Sequence, residues 1–241
     1  MRLDKMVSMT GVTRSEAKKL IQKGAVRING EIVRDAAMNV PEGASLTVGS
    51  DSVSVKKHIH IMIHKPAGVL TATIDERGAA TVCDGLPPAI LKRGIGPVGR
   101  LDKDVTGLVL LTTDGQLAHR LISPRWEMTK RYRAVTEGKL DEACQRAFEE
   151  GIPFKDFTAK PAKLEIVSAN DETSECLVYV SEGKYHQVKR MLQHVGHPVL
   201  TLHRETIASI SLDPNLAPGE WRELTEEETA YLYKLTEMEN A

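Results

Sequence analysis

Apolar positions along this chain recur at helical spacing in some stretches and alternate in others, and the two rhythms follow one another irregularly. Ala17, Leu20 and Ile21 form one apolar stripe. Thr13 and Glu16 open that segment as a capping box and Gly24 can close it, so a helix is predicted to about Gln22. Arg14, Lys18 and Gln22, four apart, share another face of it. Two short alternating runs, Val26-Arg27-Ile28 and Glu31-Ile32-Val33, flank Asn29-Gly30, the strongest short hairpin signal a sequence carries. A further strand-like run, Ser45 to Val48, leads into Gly49-Ser50-Asp51-Ser52, whose composition predicts a linker.

From Ile59 the texture changes. Ile59 to Ile63 is a strand-like run that meets a turn at Lys65-Pro66-Ala67-Gly68. Val105 to Thr113 is a second apolar strand, interrupted by Gly107, and a helix is predicted after it through Ala118 to Ile122. Tyr132 to Thr136 and Glu175 to Val180 read as further strands. Asp141 caps a helix that Gly151 ends, and Thr225 with Glu228 forms a second capping box before a last helix. Val188, Met191, Leu192 and Val195 predict a helix over Tyr185–Val195, stopped by Gly196. Strands and helices do not alternate regularly, so the fold class is α+β. The expected organisation is a small head over residues 1–50, a linker over 51–58 that leaves the head mobile, and a body over 59–241.

Composition narrows the class. With 41% hydrophobic and 27% charged residues in 241, the chain is a folded globular protein of one large or two smaller domains, and a disordered tail is excluded. Aromatics are only 4%, so aliphatic side chains must build the core. No apolar run approaches membrane-spanning length, and the first residues lack a signal-peptide core, which points to the cytoplasm. Cys83, Cys144 and Cys176 lie far apart without metal-ligand spacing and are expected to be buried reduced thiols. The formal net charge of −1 conceals an uneven distribution. Residues 1–60 carry ten Lys/Arg against six Asp/Glu, whereas residues 219–241 carry seven acids against Arg222 and Lys234. A basic head on a near-neutral chain implies a localised contact with a polyanion.

Three stretches mix charge with an apolar framework: 99–115, 130–134 and 182–192. In the first, Arg100 and Asp102 sit at the mouth of a predicted strand, where a surface salt bridge in a turn is the plain alternative. Asp102-Lys103-Asp104-Val105-Thr106 also fits the DxDxT pattern of aspartyl-phosphate phosphotransferases. That chemistry needs the apolar strand before the first Asp, and here it comes after. His186, His194, His197 and His203 fall close together, but Gly196 and Pro198 interrupt their helix and no acid lies between Gly183 and Arg204, so no metal site is expected.

Residues 1–48, RLDKMVSMTGVTRSEAKKLIQKGAVRING at their heart, resemble the αL RNA-binding module first described in a small-subunit ribosomal protein. The 99–115 stretch resembles the catalytic motif of pseudouridine synthases of the RsuA group, which modify ribosomal RNA. His64 to Thr71, Lys130-Arg131-Tyr132 and Glu182 to Met191 carry the same resemblance, which runs nearly end to end. The Tyr185 to Met191 form is closest to the branch acting on the small subunit.

The resemblance implies a body of mixed, largely antiparallel sheet with a central cleft. It implies isomerisation of a uridine to pseudouridine in 16S rRNA or a small-subunit assembly intermediate, by a monomer. Asp102 is the implied nucleophile, Lys189 its ion-pair partner and Tyr132 the tyrosine that stacks on the target base. Arg100 is implied to orient Asp102 or meet phosphate. The reaction breaks the N-glycosidic bond, turns the uracil and joins its C5 to the ribose; nothing is oxidised, so no cofactor is expected. A nucleophilic carboxylate must stay ionised, and in a water-poor pocket that requires a cation beside it. The pair is expected to be buried, so that deleting the cation would cost about 3–5 kcal/mol and leave Asp102 uncompensated. RNA contacts are expected from Arg14, Lys18, Lys19, Lys23 and Arg27 in the head. In the body they are expected from Lys130, Lys184, His186 and Arg190, with Arg120, Arg125, Arg131, Arg133 and Arg204 adding positive charge. A large-subunit target, or an assembly factor that binds RNA without turnover, shares most of these features.

Overall fold

In the computed structural model, which describes residues 1–41, 43–53 and 58–238, the Thr13 hydroxyl accepts from the Glu16 amide at 3.2 Å. The Glu16 carboxylate accepts from the Thr13 amide at 2.7 Å, so the capping box forms. It opens α2, Arg14–Gln22, whose buried side is Ala17 and Ile21. A short helix ahead of it, α1 over Leu3–Ser8, has no side-chain cap and left no sequence signal. The Asn29-Gly30 turn, with φ of 50° and 86°, joins β1 (Val26–Ile28) to β2 (Glu31–Ile32). Positive φ at both residues is what this two-residue hairpin demands. β1 also pairs with β3, Leu46–Val48, and Leu3, Val7, Ala17, Ile21, Val26, Ile28, Val40 and Leu46 close one apolar core.

The expected linker is corrected at its start. Gly49 and Ser50 turn the chain back, and β4, Asp51–Val53, pairs with β3 as the fourth strand of a β2-β1-β3-β4 sheet. Gly-Ser composition marks a tight hairpin turn as readily as a linker, so sequence alone does not separate the two. Residues 54–57 lie outside the described residues. Contacts divide the chain into two compact units, and the first takes in Leu86–Ile95 with Met1–Ile59. That segment carries α3, Pro88–Leu91, and Lys92 donates to the Gly11 carbonyl at 2.9 Å.

The second unit is organised on β5 (His60–Lys65), β6 (Gly96–Pro97), β7 (Thr106–Thr112) and β8 (Lys130–Glu137). The strands β9 (Ile152–Pro153) and β10 (Thr158–Ala159) pair apart from the main sheet. β11 (Lys163–Ala169), β12 (Thr173–Val180), β13 (Val199–Ile207), β14 (Ile210–Ser211) and β15 (Trp221–Glu223) complete the set. The main order is β11-β12-β8-β13-β7-β5-β15, antiparallel except where β13 meets β7. β12 alternates buried and half-buried positions along its whole length, as a strand with one covered face must. β7 is buried almost throughout, which accounts for its continuous apolar run.

The helices α4 (Gly115–Ile122), α5 (Glu142–Glu150), α6 (Gln187–His194) and α7 (Glu226–Leu235) flank this sheet. Met62, Leu108, Leu110, Leu117, Leu121, Ile207, Leu232 and Tyr233 share one core cluster. Asp114 caps α4, Asp141 caps α5 and the Thr225–Glu228 box opens α7. α6 starts two residues later than its periodicity predicts, because His186 takes a left-handed conformation with φ of 50° and leaves Tyr185 outside the helix. The three cysteines are free and buried.

Candidate active site

Everything at the mouth of β7 is fixed from below by one buried lysine. Lys65, the last residue of β5, is fully buried, and its ammonium donates to the carbonyls of Val105 (2.7 Å), Pro66 (3.0 Å) and Lys103 (3.1 Å). Burial draws its pKa down to about 8, while the carboxylates of Asp104 and Asp102 pull the other way. Gly68 donates to the Lys103 carbonyl at 2.8 Å, and the Thr71 hydroxyl both donates to and accepts from the Leu101 backbone. Residues 101–105 are thereby held on both sides, and Asp102 and Asp104 project from a pinned segment. The pin has no local sequence signal, because two of its three acceptors lie 38 and 40 residues from Lys65.

Asp102 and Lys189 do come together: Lys189 Nζ, from α6, lies 3.2 Å from Asp102 Oδ2. Two features differ from the expected lone acid in a sheltered pocket. Asp102 is 31% exposed and Lys189 21%, so the pair is half-sheltered and the 3–5 kcal/mol of full burial does not apply. The lysine is also shared, since its ammonium donates to both oxygens of Asp104 at 2.7 and 2.8 Å. Burial lowers the Lys189 pKa, but the hydrogen bonds to Asp104 and Asp102 outweigh it and leave the ammonium above the ordinary lysine value. The Asp104 carboxyl is held below its usual range, chiefly by the Lys189 hydrogen bond. His186 Nε2 stands 3.5 Å from the same oxygen, Asp102 Oδ2.

A cleft of about 480 Å³ opens beside this network, lined by Ala67, Asp104, Thr106, Lys189, Gln193 and Leu200 among others. The Lys189 ammonium connects Asp102 to it. That volume falls within the range of small-molecule sites. Tyr132, on β8, is 9% exposed and pairs directly across the sheet with Arg204 of β13. Arg204 had been expected at the RNA surface; instead it is 2% exposed, donates from Nε to the Leu108 carbonyl at 2.8 Å, and leaves Nη2 without a partner. Its place follows from Gly107, where φ is +110° and a Cβ would stand 2.2 Å from the Arg204 carbonyl oxygen. Only glycine lets the two strands approach this closely.

The other expected cations divide into two groups. Arg14, Lys18, Lys19, Lys23 and Arg27 are all exposed on the first unit, and Arg100 and Lys184 are exposed on the second. Lys130, expected at the RNA surface, is half-buried: it donates to the Met128 carbonyl at 2.8 Å, and burial brings its pKa to about 8. Arg190 is clamped by Asp156 through two hydrogen bonds and lies over Phe154 and Phe157. Arg131 and Arg133 share Glu205. The histidines do not converge: His194 packs edge-on to Phe154, His197 contacts the Glu137 carbonyl and His203 contacts Thr106. Among the described residues no group of three or more His, Cys, Asp or Glu is placed to hold a metal ion.

Asp102 on a pinned turn, its Lys189 partner from α6 and a cleft beside them form a candidate enzyme site, with Tyr132 nearly buried on β8. The family model for RNA pseudouridylate synthase matches residues 59–194, and that for the S4 domain matches residues 1–46. The chain belongs to the RNA pseudouridylate synthase family and is an RNA pseudouridine synthase with an amino-terminal S4 domain.

Over 95% of its length the chain is 40% identical to ribosomal small subunit pseudouridine synthase A of Escherichia coli, covering 99% of that protein. It is 42% identical to an uncharacterized RNA pseudouridine synthase of Bacillus subtilis, covering 95% of this chain and 96% of the other. A crystal structure of a pseudouridylate synthase superposes with a TM-score of 0.67 at 35% identity, covering 98% of this chain and 99% of that one. Among the described residues no helix is long and apolar enough to cross a membrane.

Proposed function

We propose that this chain isomerises a uridine of small-subunit ribosomal RNA to pseudouridine, with the Asp102 carboxylate as nucleophile and no cofactor. The observation that carries the reading is the Asp102–Lys189 pair at 3.2 Å on a turn that Lys65 immobilises. A carboxylate can attack and later leave, and the adjacent Lys189 ammonium balances its negative charge. Tyr132 lies nearly buried on β8, and its ring is assigned as the flat partner that a base withdrawn from its stack needs. The strand between β7 and β8, β13, sets this arrangement, since its Arg204 is the cross-strand partner of both Gly107 and Tyr132.

The small-subunit assignment rests on the 40% identity to the E. coli enzyme across nearly both chains. Arg14, Lys18, Lys19, Lys23 and Arg27 supply the exposed charge of the S4 domain, and their phosphate contacts give an affinity that falls steeply with salt. Uridine and pseudouridine have equal mass, so the test uses chemical derivatisation or nucleoside chromatography. Ribosomal RNA from a strain lacking the gene should miss one pseudouridine in the small subunit, restored by the wild-type chain and not by Asp102→Asn. Loss of a large-subunit pseudouridine would reassign the target; an unchanged map would leave an RNA-binding assembly factor.

A further inference from the structure

Tyr185 is the one aromatic residue among the described ones that is exposed; the others are buried or half-buried. It is 71% exposed in a chain with only 4% aromatic residues. Its ring lies nearly parallel to the His186 imidazole, with centroids 3.8 Å apart and planes 17° apart. His186 in turn places Nε2 3.5 Å from Asp102 Oδ2. Two stacked rings thus lead from the carboxylate outward, ending in a tyrosine open to solvent.

The loop that carries them is held in shape. The Lys184 amide donates to Gln187 Oε1 at 3.1 Å, Gln187 Nε2 donates to Glu182 Oε2 at 3.0 Å, and the same Glu182 oxygen accepts from the Lys160 amide at 2.9 Å. Gln187 is buried, so its two bonds are partly sheltered, while the Lys160–Glu182 bond is exposed. A side chain fixed in an exposed position loses little conformational entropy when a ligand meets it.

We propose that Tyr185, backed by His186, is a stacking platform for the base of the nucleotide next to the target uridine. The inference rests on the functional reading above and adds a binding subsite to it. When the target base leaves the helix, its neighbour loses a stacking partner on one side, and a flat ring set beside the site replaces it. Because every base has a π-face, the platform contributes affinity with little base preference. It differs in role from Tyr132, which is nearly buried and belongs to the target base itself.

The test uses the full chain and a small-subunit rRNA fragment containing the mapped uridine, with 2-aminopurine placed on either side of it in separate probes. Binding should quench one of the two probes. Tyr185→Ala should weaken binding by about 5- to 150-fold, the range that one base–aromatic stack supplies, and abolish the quench. Tyr185→Phe and Tyr185→Trp should keep both. Tyr185→Ala with wild-type affinity and quenching overturns the proposal, as does equal loss in Tyr185→Phe, which would assign the effect to the hydroxyl. Failure of the functional reading is separate: the wild-type chain would then form no pseudouridine in any ribosomal RNA, whatever Tyr185 does.

Discussion

Lys189 holds two carboxylates, and the shorter contacts go to the one that is not the proposed nucleophile. Replacing each by its amide separates their roles. Asp104 is 74% exposed, so its pair with Lys189 is screened and contributes about 0–1 kcal/mol to stability. Asp104→Asn removes that charge but leaves Lys189 paired with Asp102 at 3.2 Å. Stability should therefore change by less than about 1 kcal/mol, and kcat/KM should fall by less than about tenfold, the equivalent of 1.4 kcal/mol. Asp102→Asn has the same shape and a similar cost in stability, because its pair is only half-sheltered. Its amide does not attack a sugar carbon, so turnover should drop by about 10³-fold or more. The assay is single-turnover pseudouridine formation on a ribosomal RNA fragment, with urea denaturation on the same preparations. If Asp104→Asn abolished product while Asp102→Asn retained it, the assignment of the nucleophile would be reversed.

Other consequences of the geometry are equally direct. Gly107→Ala sets a methyl 2.2 Å from the Arg204 carbonyl oxygen and 2.6 Å from its nitrogen, both backbone, at a φ of +110°. The β7–β13 pairing must part, so urea denaturation should show a loss of about 3 kcal/mol or more; a variant within about 1 kcal/mol of wild type would refute the close approach. Lys130 has its pKa lowered from 10.5 to about 8 by burial, with Arg204 adding to it. Between those values the unfolded chain binds a proton that the folded chain does not, so this group's contribution to stability rises with pH across that window. The stability of wild type minus that of Lys130→Met should accordingly climb by about 1.4 kcal/mol per pH unit from pH 8 to 10.5 and be flat below it. A pH-independent difference would mean that Lys130 is solvated.

Much of the fold was legible because local signals and tertiary burial agree. Thr13, Asp141 and Thr225 cap helices where they were expected, since a capping residue acts within three positions of itself. β8 and β12 show their alternation directly. β13 was hidden: Thr201, His203, Arg204 and Glu205 read as a polar, basic surface, yet the strand is central and its arginine is buried against a carbonyl of β7. A charged residue anchored by a distant backbone group has no local signature. The same holds for Lys65, which reads as the first residue of a turn and works as an internal clamp. In the candidate site, motif resemblance pointed to Asp102, Tyr132, Lys189 and Arg100, and of these Asp102 and Lys189 meet. It did not find that Asp104 competes for the ammonium, because the two acids are separated by a single residue and sequence does not tell which of them faces α6.

The shared lysine suits the charge changes that the proposed reaction imposes. A carboxylate that bonds to a sugar carbon becomes a neutral ester, and one that only drives elimination keeps its charge; in the first case its counter-ion is left behind. A lysine that is 21% exposed would then be a poorly solvated cation facing a neutral group, and the resulting penalty would raise the barrier to forming the adduct. Asp104 removes that penalty in advance, since its two hydrogen bonds hold the ammonium whether or not Asp102 is charged. The same arrangement keeps Lys189 in position to receive Asp102 when the adduct breaks and the carboxylate regains its charge. On this argument the contribution of Asp104 is larger along the adduct route than along the elimination route. A modest kcat loss in Asp104→Asn with unchanged KM would favour the covalent path, and no loss at all would favour elimination.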